Sequence, residues 1–273
     1  MPEGPEIRKA ADKIERAIAG QTVAEIFFAF EHLKPYQEKL IGTTVTRIRT
    51  YGKAMVTDFD SDWCIYSHNQ LYGKWMVRRP YSYPDTNRQL RLAIHTAKKS
   101  ALLYSASDIE VWPQAEIDIH PFIQKLGLDV LDSAVAAVQI REVALKKPFY
   151  RRQFATLMLD QGFLCGIGNY LRSEILFVGG IHPTKRPTDC TDDQLDRWSE
   201  AAIALPRQSY AHSGITNDLE LVALLKDQGC SRRQYRHWVF GRANQPCYRC
   251  GTKIVKASTG GRRIYICPTC QPN

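Results

Sequence analysis

Residues 1–6 read Met1-Pro2-Glu3-Gly4-Pro5-Glu6, and they lead straight into Ile7, Ala10, Ala11, Ile14 and Ile18, which share one face at helical spacing. Gly20 closes that run, so the chain opens with a capped amphipathic helix. Proline and carboxylates in a first turn are ordinary helix punctuation. The same residues have a chemical reading. If Met1 is removed, as a small penultimate residue permits, Pro2 becomes a free secondary amine. Attack of that amine on a sugar aldehyde carbon gives an iminium that is positive at every pH and serves as an electron sink. An α-amino group has a pKa of about 7.7–8.0, and the positive end of the following helix pushes it lower. Glu3 then stands beside the nucleophile as a general acid/base.

Beyond this helix, residues 22–30, 44–49, 54–59, 63–67, 88–95 and 101–104 are rich in β-branched and aromatic side chains and read as strands. Turns at Tyr51-Gly52-Lys53 and Asp60-Ser61-Asp62 separate some of them. Many short strands with turn signals imply a β-sandwich rather than a parallel sheet. From about residue 133 the periodicity becomes helical, over 134–146, 151–160 and 169–178, the last stopped by Gly179-Gly180. Thr191-Asp-Asp-Gln194 is a capping box opening a further helix through Leu195, Trp198, Ala202 and Leu205. Residues 207–245 read as polar, basic and irregular. The fold class expected is α+β in two domains. An N-terminal β-sandwich flanked by helices spans 1–130, and a helical domain spans 131–225. A basic segment, 226–273, carries a zinc-finger β-hairpin at about 238–272.

The chain of 273 residues is long enough for a sizeable core, and its 44% hydrophobic and 24% charged content suits a globular protein. No apolar run of 18 residues and no signal-peptide pattern is present, so a cytoplasmic protein with no membrane association is expected. The net charge is +9, and residues 226–273 hold ten Lys or Arg against the single acid Asp227. The first 225 residues are therefore neutral. A basic end on a neutral body points to a polyanion, most simply nucleic acid.

Four of the eight cysteines, Cys64, Cys165, Cys190 and Cys230, are scattered singly. Cys247, Cys250, Cys267 and Cys270 form C-x2-C, sixteen residues, C-x2-C, the spacing of a tetrahedral zinc site. A disulfide pair is the competing reading. One zinc ion held by four thiolates has no open position and is structural. Strands at 253–256 and 263–266, joined by Ser258-Thr-Gly-Gly261, offer Arg262 as a bidentate phosphate ligand or as a solvated turn residue.

Three other stretches admit two readings each. Gly166-Ile-Gly168-Asn169, directly before a helix, suits a phosphate cradle of the helix–two-turn–helix kind, or Asn169 is a plain N-cap. Lys53 is a reactive lysine or a surface one. Tyr66-Ser-His68-Asn69-Gln70-Leu71-Tyr72-Gly73 is a wedge able to enter a base stack, or a buried turn.

Together, Pro2-Glu3-Gly4-Pro5-Glu6, the Lys53 turn, Gly166-Ile-Gly-Asn169 and the zinc finger with Arg262 five residues before Cys267 resemble the bacterial formamidopyrimidine-DNA glycosylase/endonuclease VIII family over the whole chain. Ser67-His-Asn-Gln70-Leu71-Tyr72-Gly73 and Tyr104-Ser-Ala-Ser-Asp108 resemble the endonuclease VIII branch; no methionine lies at 69–73, where the purine-repair branch typically has one. The resemblance implies a base-excision-repair glycosylase with AP lyase activity on oxidised pyrimidines. Its partner is double-stranded DNA containing damaged bases or abasic sites, engaged by a monomer, in bacterial cytoplasm at the nucleoid. By the same carry-over Pro2 is the nucleophile, Glu3 the acid/base, and Glu6 lies close to it. Lys53 and Arg262 assist elimination and grip phosphates, Asn169 binds the backbone, and Gln70, Leu71 and Tyr72 fill the vacated space. Lys125 stands where the branch often has arginine, keeping the charge without the fork. Two alternatives are an oxidised-purine glycosylase of the same family and a non-catalytic zinc-finger protein that binds damaged DNA.

Overall fold

The computed structural model describes residues 2–273, so the expected excision of Met1 lies outside the described residues. Two compact units are present, one made of Pro2 and Glu6–Lys125, the other of Glu3–Pro5 and Leu126–Asn273. Among the described residues no helix is long and apolar enough to cross a membrane.

Helix α1 (Gly4–Ile18) opens the first unit. Ile7, Ala11, Ile14 and Ile18 are buried, as their spacing required. Eight strands follow: β1 (Val23–Phe28), β2 (Val45–Tyr51), β3 (Ala54–Phe59), β4 (Trp63–His68), β5 (Lys74–Arg78), β6 (Leu90–Thr96), β7 (Ser100–Tyr104) and β8 (Asp108–Pro113). A short helix α2 (Gln37–Leu40) lies between β1 and β2. The strands form two four-stranded antiparallel sheets, ordered β1-β6-β7-β5 and β2-β3-β4-β8. Side chains from both sheets (Ile26, Phe28, Ile48, Phe59, Leu92 and Leu103 among them) meet the α1 residues in one core. The expected β-sandwich is therefore present. Two of its strands were not read from sequence. β5 has lysine and arginine at its ends and sits at a sheet edge, where charge is favoured. β8 emerges from a Ser-Ala-Ser turn and ends on proline at the other sheet's edge, which proline tolerates.

The second unit contains α3 (Ala137–Ala144), α4 (Phe154–Leu157), α5 (Asn169–Gly179), α6 (Asp192–Ala211), α7 (Leu219–Asp227) and α8 (Arg232–Tyr235). A two-residue parallel pairing joins β9 (Leu128–Asp129) to β10 (Leu164–Cys165). Helix α6 starts at the expected capping box, the Thr191 hydroxyl accepting from Gln194 N at 3.3 Å. The helix expected over 151–160 is only the single turn α4, because Asp160 turns back to accept from Gly162 N and from Arg152. The stretch 207–245, read as irregular, holds the end of α6 together with α7 and α8. In α7 (LELVALLKD) the apolar residues surround the helix instead of forming a stripe, and only Val222 is buried. Periodicity therefore gave no signal there.

Strands β11 (Val255–Thr259) and β12 (Arg262–Ile266) close the chain as a hairpin. Its loop is Gly260-Gly261, both left-handed at φ +57° and +73°, the geometry that the twist of a two-residue hairpin demands and that only glycine adopts freely. Ile264 and Ile266 of β12 join the buried core of α3 to α6, built around Phe154, Phe163, Leu171 and Trp198.

Candidate active site

The N-terminus of α5 is the structural centre of the candidate site. Gly166 adopts φ +88° and its carbonyl accepts from Gly4 N at 2.8 Å. The Glu3 carboxylate then reaches the exposed amides of the helix start: Oε2 accepts from Gly168 N at 2.7 Å and Leu171 N at 3.3 Å, and Oε1 from Tyr170 N at 2.9 Å. A helix leaves its first N–H groups without partners, and a carboxylate at the positive pole satisfies them best. Space there is closed: a Cβ on Gly168 would lie 2.4 Å from Glu3 Cδ and Oε1. Glu3 is 3% exposed. This corrects the reading of Asn169 as a plain N-cap. The capping position is Gly168, which has no side chain, and the cap comes from Glu3 at the other end of the sequence. Asn169 is instead the first helical residue, and its buried Oδ1 has no protein partner.

The remaining expected site residues fall as follows. Pro2 is half-buried, two residues ahead of α1, and Glu6 is half-buried in the first turn of α1. Gly52 and Lys53 form the two-residue loop between β2 and β3, with Gly52 at φ +57°. Lys53 is 6% exposed, so the surface-lysine reading fails. The His68 imidazole is held below its ordinary range, chiefly by burial; the Lys53 charge acts in the same direction while Asp108 opposes it. In the wedge, Gln70 is left-handed at φ +49°, its amide bonds to His68 Nδ1, and its Oε1 accepts from Ser107 Oγ at 2.7 Å. Leu71 and Tyr72 are 62% and 71% exposed, which excludes the buried-turn alternative. Gly73 is required, since a Cβ would meet Asn69 O at 2.5 Å. Lys125 ends a short 3-10 turn and is exposed. Arg262 is the first residue of β12, exposed and paired with Thr259 across the glycine loop.

Two charged residues of α5 were missed, although a charge within the apolar run Leu171-Arg-Ser-Glu-Ile-Leu-Phe177 was a legible signal. Arg172 is fully buried; its guanidinium donates to Ala155 O and, at 3.0 Å, to Arg263 O on β12. Burial lowers its pKa to about 10, the Arg262 charge adds to this, and Glu3 opposes it. Glu174, also fully buried, accepts from Thr216 Oγ1 and from the amides of Trp238, Val239 and Phe240 at 2.6–2.9 Å. Burial raises its pKa against those four bonds.

The four clustered cysteine sulfurs lie within 4.8 Å of one another, with Cys250 Sγ 3.4 Å from Cys267 Sγ and Cys247 Sγ 3.9 Å from Cys270 Sγ. A tetrahedral zinc with Zn–S of about 2.3 Å requires sulfur separations of about 3.8 Å. The donor set fits one structural zinc. Hydrogen bonds from Thr252 draw the Cys250 thiol down to about 6, toward the thiolate a metal needs. The knuckle is tied to the helical core through Gln271, which accepts from Cys267 N and donates to Ile181 O.

Comparison with protein families matches three stretches of the chain. Residues 1–107 match the formamidopyrimidine-DNA glycosylase N-terminal domain, 126–218 the formamidopyrimidine-DNA glycosylase H2TH domain, and 244–273 the zinc finger found in FPG and IleRS. The chain belongs to the formamidopyrimidine-DNA glycosylase family. Within that family it is 45% identical over 271 residues to Endonuclease 8 of Escherichia coli (strain K12 / DH10B), covering 99% of this chain and 100% of the relative. Endonuclease 8 of Shigella sonnei matches at the same identity and coverage. Among solved structures, the Lactococcus lactis Fpg complex with abasic-site DNA matches with TM-score 0.83 and 20% identity, covering 99% of this chain and 100% of that one. The Lactococcus lactis Fpg complex with N7-benzyl-Fapy-dG DNA matches with TM-score 0.83, also at 20% identity, covering both chains in full. At such identity the likeness to Fpg is one of fold.

Proposed function

We propose that this chain is a base-excision-repair DNA glycosylase and AP lyase that removes oxidised pyrimidines from double-stranded DNA through a Schiff base on Pro2. The observation that carries this reading is the Glu3 carboxylate fixed by three backbone amides, one residue from the proline. Three donors and a helix pole stabilise it as an anion, so Glu3 begins the reaction as a proton acceptor. With Met1 removed, the Pro2 nitrogen bonds to C1′ of an everted nucleotide, whose C1′ is out of reach inside the stack. The C1′–base bond breaks and the base leaves with the electron pair, while Glu3 takes the proton released by the amine and passes it to the departing base. Ring opening gives the iminium, which acidifies the 2′ protons. Loss of one expels the 3′ phosphate, and a second elimination expels the 5′ phosphate, leaving a one-nucleotide gap with phosphate ends.

Lys53 and Arg262 are assigned to phosphate contacts during these eliminations, Asn169 and Lys125 to the DNA backbone, and Glu6 to the surroundings of the amine. Gln70, Leu71 and Tyr72 occupy the space left in the stack, a role their exposure supports. Zinc supplies no chemistry: it holds the hairpin that presents Arg262. The enzyme works as a monomer in the cytoplasm, on the chromosome. The 45% identity to Endonuclease 8 and the absence of methionine at 69–73 favour pyrimidine over purine lesions. Borohydride trapping on duplexes carrying dihydrothymine or an oxidised guanine tests the reading. A covalent adduct on Pro2, formed faster with the pyrimidine lesion, is expected. An adduct that persists at full rate in Pro2→Gly refutes the nucleophile, and preference for the oxidised guanine transfers the enzyme to purine repair.

A further inference from the structure

A pocket of about 590 Å³ opens in the second unit, between α6, the end of α5 and the cysteine knuckle. Its apolar floor comes from Val178, Ala201, Ala204 and Leu205, and Arg197, Glu200 and Arg249 supply the charge around it. The α6 residues share one face, because 197, 200, 201, 204 and 205 are spaced at i, i+3, i+4, i+7 and i+8. Helix α5 has 11 residues, so the pocket lies about 15 Å along it from the first turn that Glu3 caps. Filling the pocket therefore leaves the candidate active site open.

The charges decide what the pocket can recognise. Arg249 is exposed, and its guanidinium lies 4.7 Å from the Phe177 ring and 4.9 Å from the Trp238 ring. That stacking holds the side chain in place before any ligand arrives. Among the described residues neither Arg249 nor Arg197 has a carboxylate partner, and Glu200 has no cation. Three charges without partners beside an apolar floor match a ligand that brings both acceptors and donors. A nucleic-acid backbone brings acceptors alone, and Glu200 repels it. A base needs a ring face to stack on, and no aromatic side chain lines the pocket. A peptide meets all the requirements: carboxylates for the guanidiniums, backbone N–H groups for Glu200 and an aliphatic side chain for the floor.

We propose that this pocket docks an acidic segment of a partner protein, with one aliphatic side chain seated on Val178, Ala201, Ala204 and Leu205 and the flanking carboxylates held by Arg197 and Arg249. A partner held there travels with the enzyme and does not contest the first turn of α5, where Glu3 and Asn169 sit. The proposal goes beyond the glycosylase reading and does not depend on it.

The probe is a fluorescent peptide, Gly-Asp-Asp-Leu-Asp-Asp-Gly with blocked ends, titrated at low salt with the full-length, zinc-loaded protein and followed by anisotropy. Saturable one-to-one binding is expected. Arg197→Ala should weaken it about fivefold, the upper end for one exposed ion pair. Ala204→Trp should abolish it by filling the floor. Both positions are exposed, so neither substitution disturbs the core. Asparagine in place of aspartate, or glycine in place of leucine, should each weaken the peptide by about tenfold or more. Undamaged duplex DNA should not displace it. No saturable binding, binding unaltered in both variants, or binding indifferent to the charge of the peptide would overturn the proposal. Displacement by duplex DNA would make the pocket part of a nucleic-acid surface and overturn it as well.

Discussion

Gly168→Ala is the sharpest test of the carboxylate cradle. The residue has φ −133° and ψ −153°, a backbone that alanine adopts freely, so only space is at issue. The new methyl would sit 2.4 Å from Glu3 Cδ and Oε1. Of the two parties the glutamate tip can move and the helix start cannot, so Glu3 leaves the three amides. Hydrogen bonds to a charged group contribute about 1.5–3 kcal/mol each when nothing replaces them; water replaces most of this at an opened helix end, leaving a loss near the upper range for a missing N-cap, about 2 kcal/mol. The Gly→Ala change itself returns about 0.4–1 kcal/mol through the unfolded chain. Urea melts should therefore show a net loss of about 1–2 kcal/mol. Displacing a general base typically costs about 10²–10⁴ in rate. Single-turnover excision of dihydrothymine is expected to fall by about 10²-fold or more, with duplex binding by anisotropy changed little. Combining Gly168→Ala with Glu3→Gln should add almost nothing, because both remove one interaction. Excision by Gly168→Ala within about threefold of wild type would show that the Glu3 position seen here is not the working one.

Removing the metal with a chelator, or replacing Cys247 by serine, should unfold the β11–β12 finger and abolish DNA binding; binding unchanged in zinc-free protein would contradict the structural role. Arg262→Ala should flatten the dependence of log affinity on log salt by about 0.9, one phosphate contact, and an unaltered slope would place the residue off the backbone. Leu71→Ala removes an exposed side chain, so stability should stay within about 0.5 kcal/mol while excision drops; equal losses in both would mean the loop is structural. Finally, His237 is pushed down to about 3 from 6.5, first by burial and then by Arg236 and Arg232, so it is neutral when folded and protonates below about 6.5 when unfolded. Its contribution is intact above pH 6.5 and is lost as pH falls toward 3, at no more than about 1.4 kcal/mol per pH unit, partly offset by Glu174, whose raised pKa acts oppositely. Denaturation as a function of pH should be flatter in His237→Phe, and identical slopes would refute the assignment.

What the sequence disclosed depended on how local the signal was. The zinc cysteines, the glycines before α5 and the α1 stripe are spaced along a few turns of chain, and each was legible as chemistry or burial. The Glu3 cap was not, because its donors lie 165 residues or more away and nothing in Gly168-Asn169 announces a borrowed carboxylate. Lys53 read as a surface lysine because a hairpin turn usually faces solvent; only the fold reveals that this one is covered. Helix α7 escaped because its leucines point in all directions.

Helix α5 carries the cap for Glu3 at its first turn, a guanidinium to β12 at Arg172 and the hub for residues 237–240 at Glu174, and from Tyr170 to Phe177 every residue is buried. Directed evolution toward new lesions has no free face to work with on this helix, since any change there disturbs several attachments at once. Sequence variation is expected to accumulate in the largely exposed 223–234 stretch, with the helix itself held almost constant.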